Sequence, residues 1–213
     1  MALLHDATLN PEKLELLHAW LPGRSWYPGG PVDDVRRLGA YRFDDPAGEV
    51  GVEAFLLHAT GDAGDVVLHV PMTYRGAPLP GAEADLIGTT EHSVLGTRWV
   101  YDGCADPVWA ATCAAAVLTG GTQVELVLEI DGRLKPRTPS ATVQGSGTPG
   151  TPVPGVGTVS WRDEGATTVV TAGAFELVVA RVVGADASAG AGTLTGRWAG
   201  GGPAVLVGVR ATG

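Results

Sequence analysis

Two apolar runs, residues 50–59 and 66–73, flank the short turn sequence Gly61-Asp62-Ala63-Gly64. This arrangement constrains the chain more than any other, because apolar, β-branched runs on either side of a tight Gly-rich turn specify a β-hairpin. Side chains alternate between the faces of a strand, so the register decides which residues enter the core. With residue 60 opposite residue 65, Phe55, Leu57, Val66, Leu68 and Val70 share one face, the natural core side. His58 and His69 are then diagonal neighbours on the outer face, expected at the surface. Two imidazoles fall short of the three or four ligands of a zinc site, so no metal site is assigned. His92 beside Glu91 reads as a solvated loop pair.

The flanking segments supply further elements. Asn10-Pro11-Glu12 has the order of a helix start, a cap followed by Pro at the first helical position and an acid near the positive helix end. Leu14, Leu17 and Leu21 share a face with Trp20 beside them, and Pro22-Gly23 ends the helix. Residues 35–43 and 94–101 read as strands, and 77–88 as a loop. Asp106-Pro107 opens a second, alanine-rich helix that runs to Leu118, where Gly120-Gly121 stops it. Val124, Leu126, Leu128 and Ile130 alternate as a half-buried strand. From 131 to 157 hydrophobic periodicity disappears under Pro, Gly, Ser and Thr, the composition of a linker or long loop. Strands are predicted at 158–161, 167–171, 175–183, 194–198 and 204–210, with a small-residue loop at 184–192. The expectation is an α+β fold, an antiparallel sheet with helices packed on one face, followed by a β-rich tail. It divides into residues 1–131, a linker at 132–157 and a subdomain at 158–213.

The net charge is −9 and no Lys/Arg cluster exceeds Arg36-Arg37. Neutralising phosphates requires basic surface, so neither nucleic acid nor an anionic membrane is expected as a partner. No apolar stretch approaches the roughly 18 residues of a membrane-spanning helix. The N-terminus MALLHDATLN lacks a basic region followed by an apolar run, so no signal peptide is expected. A cytoplasmic location is expected, with Cys104 and Cys113 as reduced, buried thiols. No Gly-x-Ser-x-Gly, His-Glu-x-x-His or Walker element occurs. The Gly-rich residues 145–155 lack the Lys and following helix of a phosphate loop.

Three segments carry a family resemblance. Residues 19–30 read AWLPGRSWYPGG, residues 69–79 HVPMTYRGAPL, and residues 95–109 LGTRWVYDGCADPVW. An apolar helix ending in Trp before Arg-x-Trp-Tyr, a strand ending near a Pro-x-x-Tyr, and Val-Tyr-Asp leading to Asp-Pro resemble the N-terminal cap of the actinobacterial maltokinases. The resemblance spans roughly residues 14–130. The tail sequence DEGATTVVTAGAFELVVARVV, residues 163–183, has spacing similar to the strand hairpin of the kinase N-lobe, in degenerate form. Val178 stands where that hairpin would carry its phosphate-binding Lys.

The kinase machinery itself is absent from the sequence. Phosphoryl transfer needs a Lys on the phosphates, Mg²⁺ held by Asp and Asn, and an Asp for the hydroxyl proton. The lysines are Lys13 and Lys135, and the single asparagine is Asn10. No His-x-Asp-x-x-x-x-Asn loop occurs; His5-Asp6 with Asn10 imitates it poorly. No kinase C-lobe, no cofactor and no catalytic residue are expected. The resemblance implies a stand-alone cap-like protein, a regulatory or interaction module of trehalose and glycogen metabolism that binds a protein partner or a second copy of itself. The alternative is a sugar-binding module, its aromatic residues lining a concave sheet. Either surface would draw on Arg24, Trp26, Tyr27, Tyr74, Arg75, Trp99, Tyr101 and Asp102. Trp26 and Tyr27 also fit a role as core anchors, and Asp102 and Asp106 as turn and cap residues.

Overall fold

The computed structural model describes residues 2–4, 8–62, 64–130, 133–188 and 190–212. Along the chain it has β1 (Ala2–Leu4), β2 (Leu9–Asn10), α1 (Lys13–Trp20), β3 (Arg36–Phe43), β4 (Gly51–Gly61), β5 (Gly64–Arg75), β6 (Leu86–His92) and β7 (Gly96–Asp102). Then come α2 (Pro107–Thr119), β8 (Leu126–Ile130), β9 (Arg133–Arg137) and β10 (Ala141–Gly145), followed by β11 (Ser160–Glu164), β12 (Thr167–Ala172), β13 (Phe175–Ala180), β14 (Gly192–Trp198) and β15 (Gly201–Ala211). His5 and Asp6 lie outside the described residues.

The predicted hairpin is present in its predicted register, with Thr60 opposite Asp65. It sits inside a six-stranded antiparallel sheet of order β2-β6-β7-β5-β4-β3. A second six-stranded sheet has the order β10-β14-β15-β13-β12-β11, and a small third sheet the order β1-β8-β9. The protein is therefore mostly antiparallel β. The α+β expectation, with helices layered on one sheet face, does not hold. The reason lies in the hairpin: Val52 to Leu57 is buried without a break, so both faces of the strand are covered. Phe55, Leu57, Leu68 and Val70 meet Leu17, Trp20 and Leu21 of the α1 region. On the opposite face Val52, Ala54 and Leu56 join α2 and the inner face of the second sheet, including Leu177, Leu206 and Val207. The two helices thus lie on opposite faces of the first sheet.

Helix α2 starts as predicted, with the Asp106 side chain accepting from Val108 N–H at 2.9 Å. It ends on Gly120, whose left-handed φ of +70° suits glycine. Helix α1 starts two residues later than predicted. Asn10 pairs across from Glu91 in a strand, and the turn is closed instead by Glu12 N–H donating to the Glu15 carboxylate at 2.6 Å. Strand β6 lies partly within the predicted loop.

The segment read as a linker contributes β9 and β10 and packs closely. Gly145, Gly147 and Thr148 donate their N–H groups to the carbonyls of Gly121 (2.8 Å), Val117 (2.9 Å) and Leu118 (3.1 Å), satisfying the C-terminal end of α2. Glycine is needed there for contact: a Cβ on Gly145 would sit 1.9 Å from the Ala116 oxygen. Gly145→Ala is accordingly expected to cost about 2 kcal/mol or more in unfolding free energy. Gly155→Ala, with nothing within 4 Å of the added Cβ, is expected to cost less than about 0.5 kcal/mol. Urea unfolding of both variants checks this; equal tolerance would restore the linker reading.

Candidate functional site

The first and second sheets meet at Arg181. Immediately after β13, residues 181–183 run along the stretch of β5 that β7 leaves unpaired. His69 N–H donates to the Arg181 carbonyl at 2.9 Å, and Val183 N–H to the Val67 carbonyl at 2.8 Å. The Arg181 side chain is fully buried. It donates to Asp102 Oδ2 at 2.5 Å and to Thr168 Oγ1 at 2.8 Å, and its guanidinium lies 5.0 Å from the Trp26 ring centroid. Thr168 and Ser25 both donate to Asp163, each at 2.6 Å. Buried against Asp102, Arg181 presents no side-chain surface to solvent.

His69, expected at the surface, is completely buried. Its Nε2 lies 2.8 Å from the Tyr41 hydroxyl. Burial, with the nearby Arg181 charge adding to it, lowers its pKa to about 3, so the ring is neutral at ordinary pH. His58 is half-buried and bridges to Asp65 at 3.3 Å. Cys104 and Cys113 are buried free thiols. Burial raises both, Cys113 to about 12, which keeps them unreactive.

The residues singled out from the sequence divide between the two faces of the first sheet. Trp26 packs edge-on to Trp20 at 5.7 Å, and Arg24 lies over the Trp20 ring at 4.7 Å. Tyr27 donates to the Gly30 carbonyl at 2.8 Å, and Tyr74 carries Lys13 over its ring at 4.3 Å. These belong with the α1 core. Trp99 and Tyr101 form a separate cluster with Leu79, Leu86 and Trp161, and the Tyr101 hydroxyl accepts from Leu79 N–H at 2.9 Å. Arg75 grips the buried Asp106 through two 2.7 Å hydrogen bonds, and Thr73 adds a third at 2.7 Å. Asp102 holds Arg181 and accepts from Cys104 N–H at 3.1 Å. Asp102 and Asp106 are turn and cap groups that double as counter-charges.

Two concavities flank the first sheet, and neither is lined by Trp26, Tyr27, Trp99 or Tyr101. Trp26 and Tyr27 pack with the α1 core, whereas Trp99 and Tyr101 pack with the Leu79 cluster, so the four do not share one surface. One concavity, about 650 Å³, is an apolar groove along α2, walled by Val108, Ala111, Ala115 and Val124. The other, about 830 Å³, lies over the β3–β4 face beside the start of α1. It is lined by Lys13, Arg37, Arg42, Arg137, Glu12 and Glu53, with Leu14, Ala40, Phe55 and Leu126 beside them. Lys13 Nζ meets Glu53 Oε2 at 2.5 Å. Burial would raise the Glu53 pKa, but the Lys13 and Arg42 charges outweigh it and hold the carboxyl below its usual value. No charge pattern in the sequence pointed to this pocket, because its cations come from three separate segments.

Residues 20–106 match the maltokinase N-terminal cap domain. The cap match contains strands β3 to β7, the whole first sheet except β2, and closes on Asp106. It is narrower than the resemblance read from the sequence and leaves out α2. The cap-matching segment supplies Trp26 and Asp102 to the Arg181 junction, and the chain beyond it supplies Arg181 and Thr168. No curated protein sequence matches the chain.

Two outcomes follow from the junction. Replacing Asp102 by Asn leaves Arg181 buried without a counter-charge and is expected to cost about 3–5 kcal/mol, read from urea midpoints. The His69 ring adds a pH dependence. Its folded pKa lies near 3 against an ordinary 6.5, so below pH 6.5 the unfolded chain gains a proton that the folded one refuses. Stability therefore falls as pH drops through that window, by about 2–3 kcal/mol at pH 4.5 from this group alone. His69→Gln is expected to flatten that part of the acid limb; identical pH slopes in both proteins would mean that His69 is charged in the fold.

Proposed function

We propose that the chain is a non-catalytic module related to the maltokinase cap, acting as a regulatory or interaction partner in the metabolism of maltose phosphate, trehalose and glycogen. The cap match over residues 20–106 carries the reading. It is supported by the occupations of the groups a phosphoryl-transfer site would need. Lys13 is engaged by Glu53, and Asn10 is a strand residue beside Glu91. Lys135 lies exposed on β9. Val178, at the position of the kinase Lys, is buried in β13. Arg181 is closed off by Asp102. Regulation through a partner is consistent with the apolar groove along α2, which leaves a mostly small-residue helix face open.

We place the protein in the cytoplasm, where two buried free thiols persist unpaired. Among the described residues no helix is long and apolar enough to cross a membrane.

The test is ATP-dependent phosphate transfer to a panel of sugars that includes maltose and glucosamine, with calorimetry of ATP·Mg binding alongside. No transfer above the uncatalysed background is expected. Turnover on the order of 1 per second, within the usual kinase range, would overturn the non-catalytic reading.

A further inference from the structure

The concavity over the β3–β4 face has a charge opposite to that of the chain. The protein carries a net charge of −9, yet this pocket gathers four cations, Lys13, Arg37, Arg42 and Arg137, against two carboxylates, Glu12 and Glu53. The carboxylates are already engaged. Glu53 is bound to Lys13 at 2.5 Å, and Glu12 closes the first turn of α1. Among the described residues, Arg37, Arg42 and Arg137 form no ion pair.

The backbone explains how these groups share one face. Arg42 is opposite Glu53, and Ala40 is opposite Phe55. Strict alternation would turn Arg37 to the other side of β3. A bulge between Arg37 and Gly39 resets the register, so Arg37 stands opposite Leu57 and joins Ala40 and Arg42. There it lies over the Phe55 ring at 5.1 Å. Arg42 is the most enclosed of the three arginines, and its Nε–H is buried without a hydrogen-bond partner among the described residues. A buried guanidinium donor left without an acceptor is costly. Phe55, Ala40, Leu14 and Leu126 give the same pocket an apolar floor. Its volume of about 830 Å³ falls within the range of small-molecule sites.

We propose that this pocket binds a small organic anion, its carboxylate or phosphoryl group held by Arg37, Arg42 and Arg137 and its apolar body resting on Leu14, Ala40 and Leu126. The planar fork of a guanidinium suits both acid groups, which accept two parallel hydrogen bonds. Lys13 is not a principal contact, since Glu53 and the Tyr74 ring already hold it. The assignment is independent of the partner-binding reading, because the apolar groove lies on the other face of the first sheet.

The experiment is calorimetric titration of the full chain with phenyl phosphate, benzoate, inorganic phosphate and benzyl alcohol. Saturable binding is expected for phenyl phosphate or benzoate, weaker binding for inorganic phosphate, and none for the neutral alcohol. Phenyl phosphate binding more tightly identifies a phosphoryl ligand, and benzoate binding more tightly a carboxylate. Arg42→Gln is expected to weaken the preferred probe about tenfold or more, the weight of one charge-assisted hydrogen bond. Because Arg42 is partly enclosed, Arg37→Gln and Arg137→Gln, both at exposed positions, serve as variants that keep the fold intact; each is expected to weaken binding several-fold. No saturable binding of either organic anion, or binding unchanged in Arg37→Gln and Arg137→Gln, would overturn the proposal.

Discussion

A guanidinium with no exposure to solvent has to find its counter-charge inside the protein, and Arg181 finds it across a sheet boundary. Its partner Asp102 closes β7 of the first sheet, while Thr168, which accepts from its Nε–H, belongs to β12 of the second. Burying an ion pair yields little net stability compared with apolar packing, because desolvation offsets the Coulomb gain. What it supplies is discrimination: any docking of the two sheets that moved Asp102 away would leave a naked buried charge. Main-chain hydrogen bonds from residues 181–183 to β5 fix the same docking. The neighbouring imidazole of His69 is compatible with this arrangement only when neutral, since a second cation beside Arg181 would have no carboxylate of its own.

The shape of the core follows from that junction. Once the second sheet is fastened to the outer face of the hairpin, Val52, Ala54 and Leu56 are as deeply buried as Phe55 and Leu57. Helix α2 shares that space with two sheets, and its alanines keep it thin enough to do so. The glycines at 145 and 147 admit the following chain within hydrogen-bonding distance of its last turn. Small residues in α2 and small residues after β9 are thus two sides of one packing solution, although they lie far apart in sequence.

Local signals in the sequence specify structure wherever the local physics is decisive. The turn at residues 61–64 set the hairpin register, Asp106-Pro107 set the start of α2, and alternation located the strands of the tail. Composition misleads where tertiary contact overrides it. Residues 131–157 look flexible because Gly and Pro dominate, but several of those glycines are there for close approach. The extended run 175–183 is two segments: β13 ends at Ala180, and the chain then crosses to the first sheet, a change no periodicity reveals. His69 alternates with apolar neighbours in the way an outward residue does, and only the second sheet makes that face interior. The aromatic residues are recognisable as anchors from the sequence, yet alternation alone does not show that Trp26 and Tyr74 face one core and Trp99 and Tyr101 another. Arg181 within FELVVARVV was the readable clue to the junction, since a charge in an apolar strand has to be paired; the identity of its partner was not readable.

The same alternation that divides the aromatics also divides the concave surfaces. Along β3, Ala40 and Arg42 face the cationic pocket, while Phe43 faces the apolar groove beside α2. The carbonyl of Arg42 accepts from Val124 N–H at 2.9 Å, and Val124 is itself a wall of the groove. One strand end therefore anchors both concavities, with charge on one side and apolar surface on the other. The bulge at Leu38 sharpens the division by moving Arg37 to the charged side. The same irregularity sets Gly39 against the chain that leads into β10, where a Cβ would approach the Ser140 oxygen to 2.9 Å. A local break in pairing thus serves two ends, since it collects the arginines on one face and lets the second sheet's edge close against the other.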